Sequence, residues 1–494
     1  MMATMRGWQL ADVIAASVAG NPDAVALFDG AGRSTLSYGQ LRQQVQETAD
    51  RLTEHGLAPG DVIAVQAKNR VEFVVGLLAA ARAGLVVVPL DPALPAPQKR
   101  QRLELACARA VLTGPDPTAL VDDWPHWSIG SAHWPAAVQR DRPAGIGADD
   151  ALIMFTSGTT GTPKMVPWTN HSLAVAVTSV VETYGLSSTD ATVAVMPLFH
   201  GHGLVACLLA TLASGGSLML PAQGRFSAHT FWSDMDAVGA TWYTAVPTIH
   251  QILLDTPAAG QPSIAGRLRF IRSCSAPLAN EVTQQIERVF GAPVLAAYGM
   301  TEATHQISSV RPSDAQLVRL TTVGRPTSGI TAEIRSGEVW IAGPTVTRGY
   351  LGEHGSAEGP EAGWLRTGDL GAIDEHGNLT ITGRIKNLIN RGGEKVAPEQ
   401  VEQVLARFPG VSRIGVVGVP DSLYGQRVCA VVMSSDAVDV DALTAFARAH
   451  LAPFEVPEHI LVTSTLPTTA KGDLDRVRLA DDVVATWSEG SHAR

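Results

Sequence analysis

Thr156-Ser-Gly-Thr-Thr-Gly-Thr-Pro-Lys164 follows directly on Ala151-Leu-Ile-Met-Phe155, and this junction decides the fold. The apolar run reads as a buried strand. The residues after it are hydroxyls, glycines, one proline and one lysine. Glycines let backbone N–H groups turn inward around an anion, hydroxyls add donors, and the lysine adds a point charge. That chemistry describes a phosphate cradle, with Thr156, Ser157, Gly158, Thr159, Thr160 and Lys164 as its candidate contacts. It is not a Walker A loop, because no Gly-x4-Gly-Lys-Ser/Thr occurs. A plain polar turn is the alternative, and so long a polar stretch against a buried strand argues against it.

The chain has 494 residues, enough for two or three domains. With 45% hydrophobic and 17% charged residues it can bury a large core and is not globally disordered. A net charge of −10 argues against a nucleic-acid surface. Only six of the 37 basic residues are lysines, so each lysine is worth following. The four cysteines are too far apart for a CxxC site or a disulfide framework, which suits a reducing, cytoplasmic setting. Asp12 interrupts the only early apolar run, so no signal peptide is expected. The run 73–90 contains Arg82 and reads as a helix followed by a strand, not a membrane span.

Outward from the cradle, strands and helices alternate. The pattern predicts a helix over 36–56, a strand over 61–66, a helix over 71–84 and a strand over 86–90. Alternation continues to about residue 300 and implies layered α/β architecture with largely parallel sheets. Residues 114–150 read as connecting structure. From about 321 short strands take over, at 332–334, 338–341, 370–373 and 379–381, forming a small β subdomain over 321–383. After it, helices 398–407 and 440–450 and strands 412–418, 427–433 and 459–463 predict a small, separate α+β domain. The expected division is an N-terminal domain over 1–383, a hinge at 384–386 and a mobile C-terminal domain over 387–494.

Five further segments stand at informative places: Pro197-Leu-Phe-His-Gly-His-Gly203, Tyr298-Gly-Met-Thr-Glu-Ala-Thr-His305, Trp364-Leu-Arg-Thr-Gly-Asp-Leu370, Gly383-Arg-Ile-Lys-Asn-Leu-Ile-Asn-Arg-Gly-Gly-Glu-Lys395 and Leu466-Pro-Thr-Thr-Ala-Lys-Gly-Asp473. The third offers an aspartate in a tight turn. In this order the set resembles the adenylate-forming superfamily of acyl-CoA synthetases, peptide-synthetase adenylation domains and luciferases, and the resemblance covers about 10–480. It implies an enzyme that activates an acid with ATP and Mg2+, releases pyrophosphate, and passes the acyl-AMP to a nucleophile after the C-terminal domain swings. It also implies residue roles. The cradle holds the β,γ-phosphates, Thr301 contacts phosphate and Glu302 the Mg2+. Asp369 and Arg384 hold the ribose hydroxyls, Tyr298 lies against adenine, and Lys386 is the hinge. A carboxylate is a good acceptor for two hydroxyls.

Within the superfamily the resemblance is nearest to oxalate–CoA ligases, through Gly224-Arg-Phe-Ser-Ala228, Thr241-Trp-Tyr-Thr-Ala-Val-Pro-Thr-Ile-His-Gln251 and Arg269-Phe-Ile-Arg-Ser-Cys-Ser-Ala276. The pocket it implies is His200, Ser275 and His305, polar donors suited to a very small anion. One position departs. The lysine such ligases carry in a terminal Pro-x5-Lys is Asp473 here, with Lys471 two residues earlier. A slipped loop could let Lys471 serve, the position could be lost, or Asp473 could act as acceptor or base toward a nucleophile other than CoA. The last option leads to a diazotase, which adenylates nitrite and passes the nitroso group to an aryl amine to give a diazonium product. The alternative is an oxalate–CoA ligase, and the third reading is a nucleotide-binding pseudoenzyme. The expected partners are a small acid and a small nucleophile, aryl amine or CoA, with no nucleic acid and no membrane.

Overall fold

In the computed structural model the described residues are 7–30, 33–115, 117, 120–156, 162–256, 266–327, 329–352, 359–421, 423–434, 438–469 and 474–491. The cradle strand, Asp150–Thr156, sits in a six-stranded sheet with the spatial order His126–Ser128, Val111–Thr113, Val62–Gln66, Val86–Pro89, Asp150–Thr156 and Lys164–Thr169. The first five run parallel and the last is antiparallel to Asp150–Thr156. Val62–Gln66 and Val86–Pro89 are buried along their whole length, as parallel strands covered on both faces must be. The helix Val71–Arg82 explains one covering layer. Its residues Phe73 to Ala81 are all buried, so it is apolar all round and lies inside the domain. No helix among the described residues is long and apolar enough to cross a membrane.

A second sheet places Trp242–Ala245, Phe270–Ser273 and Val294–Tyr298 in parallel, then adds Ser308–Ser309 and Arg325–Pro326 antiparallel. A third joins Ser34–Ser37, Val25–Asp29, Ser217–Leu220 and Ala191–Val193. The predicted strand–helix–strand alternation is therefore present. The stretch read as connecting structure contributes one short edge strand, His126–Ser128, that its Pro- and Trp-rich composition hid.

Four antiparallel strands, Thr331–Arg335, Glu338–Ala342, Leu365–Ile373 and Leu379–Arg384, form the small β sheet. Here one expectation is corrected. Asp369 does not lie in a tight turn but within the long strand Leu365–Ile373, directly opposite Arg384. The Thr-Gly-Asp signature is a kink inside the strand: Gly368 has φ +72°, and the register shifts between Leu370 and Gly371. The short turn Ile385–Asn387 then leads into a final sheet of Glu394–Val396, Ile389–Arg391, Gly425–Met433, Arg413–Asp421 and His459–Thr463, which has its own apolar core. Asn387 Nδ2 donates to Glu399 Oε1 (2.5 Å), tying the turn to the C-terminal helix Pro398–Leu405. Across the two parts, Arg413 Nη2 donates to Thr248 Oγ1 (3.3 Å) and Arg407 lies 3.9 Å from Glu281.

Candidate active site

The cradle and the segments that follow Ala191–Val193 and Val294–Tyr298 leave the carboxyl ends of parallel strands, where open α/β sheets bind ligands. Thr156 ends its strand and faces Lys164 across the hairpin, so the cradle is the connection between two antiparallel neighbours. Ser157, Gly158, Thr159 and Thr160 lie outside the described residues, as do Lys471 and Asp473. Lys164 Nζ sits 4.9 Å from the centre of the Tyr350 ring, and Tyr350 Oη donates to Glu302 Oε1 (3.1 Å). Tyr350 thereby joins the cradle's lysine to the carboxylate expected at the metal. It reaches that place because Leu351 N donates to Met165 O (2.9 Å).

Tyr298 closes the third parallel strand of the second sheet, and Gly299 follows because nothing larger fits. A Cβ there would stand 1.3 Å from the His305 carbonyl oxygen. This close approach folds Thr301 and Glu302 back beside the sheet, where Trp168 Nε1 donates to Thr301 O (2.7 Å). Glu302 presents a hard oxygen donor, and no cluster of three His, Cys, Asp or Glu occurs among the described residues. One carboxylate with open coordination fits Mg2+, which takes most of its ligands from phosphate oxygens and water.

Asp369 is 1% exposed and holds two partners at once. Tyr298 Oη donates to its Oδ2 (2.5 Å), and Arg384 Nε lies 2.7 Å from its Oδ1. Burial pushes the Asp369 carboxyl above its usual range, and Arg384 and Tyr298 only partly offset this. Burial and the neighbouring carboxylate hold the Tyr298 hydroxyl protonated, with its pKa well above the usual tyrosine value. The predicted trio of Tyr298, Asp369 and Arg384 is therefore one hydrogen-bonded unit. Lys386 stands exposed in the turn after it.

The predicted anion pocket gathers around a residue to which the sequence reading assigned no role. His202, 4% exposed, places Nδ1 3.1 Å from Ser275 Oγ and Nε2 2.6 Å from Thr244 Oγ1. Its ring stacks on that of His305, with centroids 5.4 Å apart. His200 is half-buried on the same turn, with its ring 4.7 Å from that of Phe199. The turn is tight: a Cβ on Gly201 would lie 2.9 Å from the Trp168 ring and 3.2 Å from His305 Cβ. His202 then opens a π-helical stretch, His202–Leu209, a wide-wound form that concentrates at functional sites.

Beneath the two rings lies Arg272, wholly buried. It donates through Nε to Tyr184 Oη (3.0 Å), through Nη1 to Thr244 Oγ1 (3.2 Å), and through Nη2 to His305 Nε2 (3.2 Å) and Gln306 Oε1 (2.8 Å). Every acceptor is neutral. Burial and the Arg272 charge hold His202 and His305 well below the ordinary histidine pKa, so both rings are neutral at pH 7. Ser275, Thr304 and His305 all take the left-handed backbone conformation, at φ +77°, +49° and +75°. Non-glycine residues adopt it at a cost of order 1–3 kcal/mol, and such strain concentrates at functional sites. Arg272 and Thr244 could have been noticed in the sequence, as polar residues inside the short apolar strands Phe270–Ser273 and Trp242–Ala245.

Comparison with known proteins agrees with this geometry. The AMP-binding enzyme family model matches residues 14–351, and the model of the AMP-binding enzyme C-terminal domain matches 400–473. The chain is 41% identical over 487 residues to an oxalate–CoA ligase of Arabidopsis thaliana, covering 92% of this chain and 95% of that protein. It is 34% identical over 513 residues to a sulfoacetate–CoA ligase of Cupriavidus necator, covering 95% and 97%. The ATP-bound crystal structure of MatB from Rhodopseudomonas palustris superposes with a TM-score of 0.82 at 27% identity, covering 96% of this chain and 98% of that one. With the ordered motifs and the matched fold, these findings place the chain in the AMP-binding enzyme family, as an ATP-dependent adenylate-forming ligase.

Proposed function

We propose that this enzyme is a CoA ligase for a very small, fully ionised acid, with oxalate the first candidate. The observation that carries the reading is the pocket of His202, Ser275 and His305. It offers short polar donors around a buried guanidinium, a lining that suits a compact anion. The similarity to an oxalate–CoA ligase over nearly the whole chain supports it independently. On this reading an acid oxygen bonds to the α-phosphorus of ATP as the bond to pyrophosphate breaks. The CoA sulfur then bonds to the acyl carbon as AMP leaves.

In the first step Tyr298, Asp369 and Arg384 orient the nucleoside, and Thr156, Lys164 and Thr301 face the phosphates. Glu302 would hold Mg2+, which offsets the charge that gathers on the phosphates as pyrophosphate departs. Tyr350→Phe keeps the ring against Lys164 but removes the hydroxyl that orients Glu302. A hydrogen bond to a charged group contributes about 1.5 kcal/mol, so pyrophosphate release should fall about tenfold. A raised Mg2+ requirement should accompany it, read by titrating Mg2+ at fixed ATP.

Pyrophosphate release with oxalate, malonate, acetate or nitrite, each with and without CoA, tests the assignment. Oxalate should give the highest rate and should need CoA for continued turnover. The diazotase reading rests on Asp473 as the departure from the ligase pattern. Release that requires nitrite together with an aminophenyl acid would establish it and overturn the ligase proposal.

A further inference from the structure

Arg272 and Thr244 are opposite one another in neighbouring parallel strands, so their side chains emerge together on one face. An arginine only donates, and Thr244 Oγ1 must therefore accept from Nη1. Within this buried site the Thr244 hydroxyl proton then has one acceptor in reach among the described residues, His202 Nε2. His202 thus carries its proton on Nδ1 and donates it to Ser275 Oγ. The Ser275 hydroxyl proton is left to point outward, and Ser275 is exposed. His305 Nε2 accepts from Arg272 Nη2, so its proton also sits on Nδ1, where no partner occurs among the described residues.

We propose that Arg272 is a positioning residue that sets the hydrogen-bond polarity of the acid pocket. Through Thr244 and His202 it makes Ser275 a hydroxyl donor, and directly it makes His305 Nδ1–H a second donor. Two neutral donors backed by a buried positive charge select a small carboxylate in its ionised form. The acid's identity rests on the function proposed above; the polarity of the relay does not.

Two measurements separate these. Histidine-selective 15N NMR of the unliganded enzyme, with His202 and His305 assigned by substitution, reads the tautomer without any substrate. Both rings should show bare Nε2, and a protonated Nε2 on His202 would overturn the relay. In pyrophosphate-release kinetics, Thr244→Val breaks the relay at its hydroxyl and keeps the side-chain volume. It and Ser275→Ala should each raise the acid KM about tenfold, with the ATP KM unchanged. Because both break one chain, the double variant should stay near tenfold. A multiplied loss of about a hundredfold, or a parallel rise in the ATP KM, would refute the coupling. Arg272→Lys should fail to restore the pocket, since an ammonium cannot serve Thr244, His305 and Gln306 from one plane; full activity in that variant counts against the assignment. If the wild-type enzyme released pyrophosphate with none of the small acids, the acid assignment would fall while the tautomers still reported on the relay.

Discussion

Asp369→Ala is expected to lower kcat/KM for ATP about a thousandfold in pyrophosphate release. The carboxylate is the acceptor proposed for two ribose hydroxyls, and a hydrogen bond to a charged group contributes about 1.5–3 kcal/mol. Two such bonds amount to about 4 kcal/mol, which is about three powers of ten in rate. The structure makes the loss hard to mend. Asp369 is 1% exposed, so water cannot readily take the place of the missing oxygens. Arg384→Ala should cost far less, because its side chain is 46% exposed and an ion pair in that setting is heavily screened. Activity within tenfold of wild type in Asp369→Ala would remove this residue from the nucleotide site.

A companion variant separates binding from folding. Burial raises the Asp369 carboxyl above its unfolded pKa, and this net shift already includes its partners. A group raised in this way stabilises the fold below its unfolded pKa, and that contribution is gone once the pH rises past the folded value. At neutral pH the ionised carboxylate is therefore held at a cost in stability. Asp369→Asn should match or exceed the wild-type melting temperature while losing most of its activity. That opposition is expected of a functional charge and not of a structural one.

The parts of the site that were legible from sequence are those carried by contiguous segments. The strand before Thr156 and the turn from Tyr298 to His305 could be read because apolar runs and glycines announce them. The pairing of Asp369 with Arg384 was anticipated as a shared role. That they face each other across two strands follows from a register no local pattern reveals. Tyr350 was missed because it stands in an unremarkable loop, and it comes to Glu302, 48 residues away in the chain, through the backbone bonds of Thr347 N to Glu302 O and Leu351 N to Met165 O. His202 was quoted but given no role, since on a loop it is indistinguishable from His200. What singles it out is Thr244 on one side and Ser275 on the other, one within and one just after neighbouring strands of the second sheet.

The same histidines predict marked acid lability. His202, His305 and His250 are buried, and each is held neutral: the first two well below the usual histidine value, and His250 at about 3. Burial is the main cause for all three, and Arg272 adds to it for His202 and His305. In the unfolded chain each would bind a proton at about pH 6.5. A base depressed on folding contributes stability that is complete above its unfolded pKa and is lost as the pH falls toward the folded one. The window therefore opens at about pH 6.5 and, for His250, extends down to about 3. Well inside it each histidine removes about 1.4 kcal/mol per pH unit, and three together about 4 kcal/mol per unit. Against a total stability of about 5–15 kcal/mol, a loss of that size per unit would unfold the protein about one to four units below pH 6.5. Urea unfolding between pH 7.5 and 5 measures this directly, and an unfolding free energy that stays level from pH 6.5 to 5 would contradict it. His250 isolates one share of the effect. It lies outside the proposed acid pocket, its Nδ1 is 3.3 Å from Tyr243 Oη, and its Nε2 has no partner among the described residues. His250→Gln removes one titrating group of the three, so the acid-side slope should fall by about a third, while the slopes above pH 7 remain parallel.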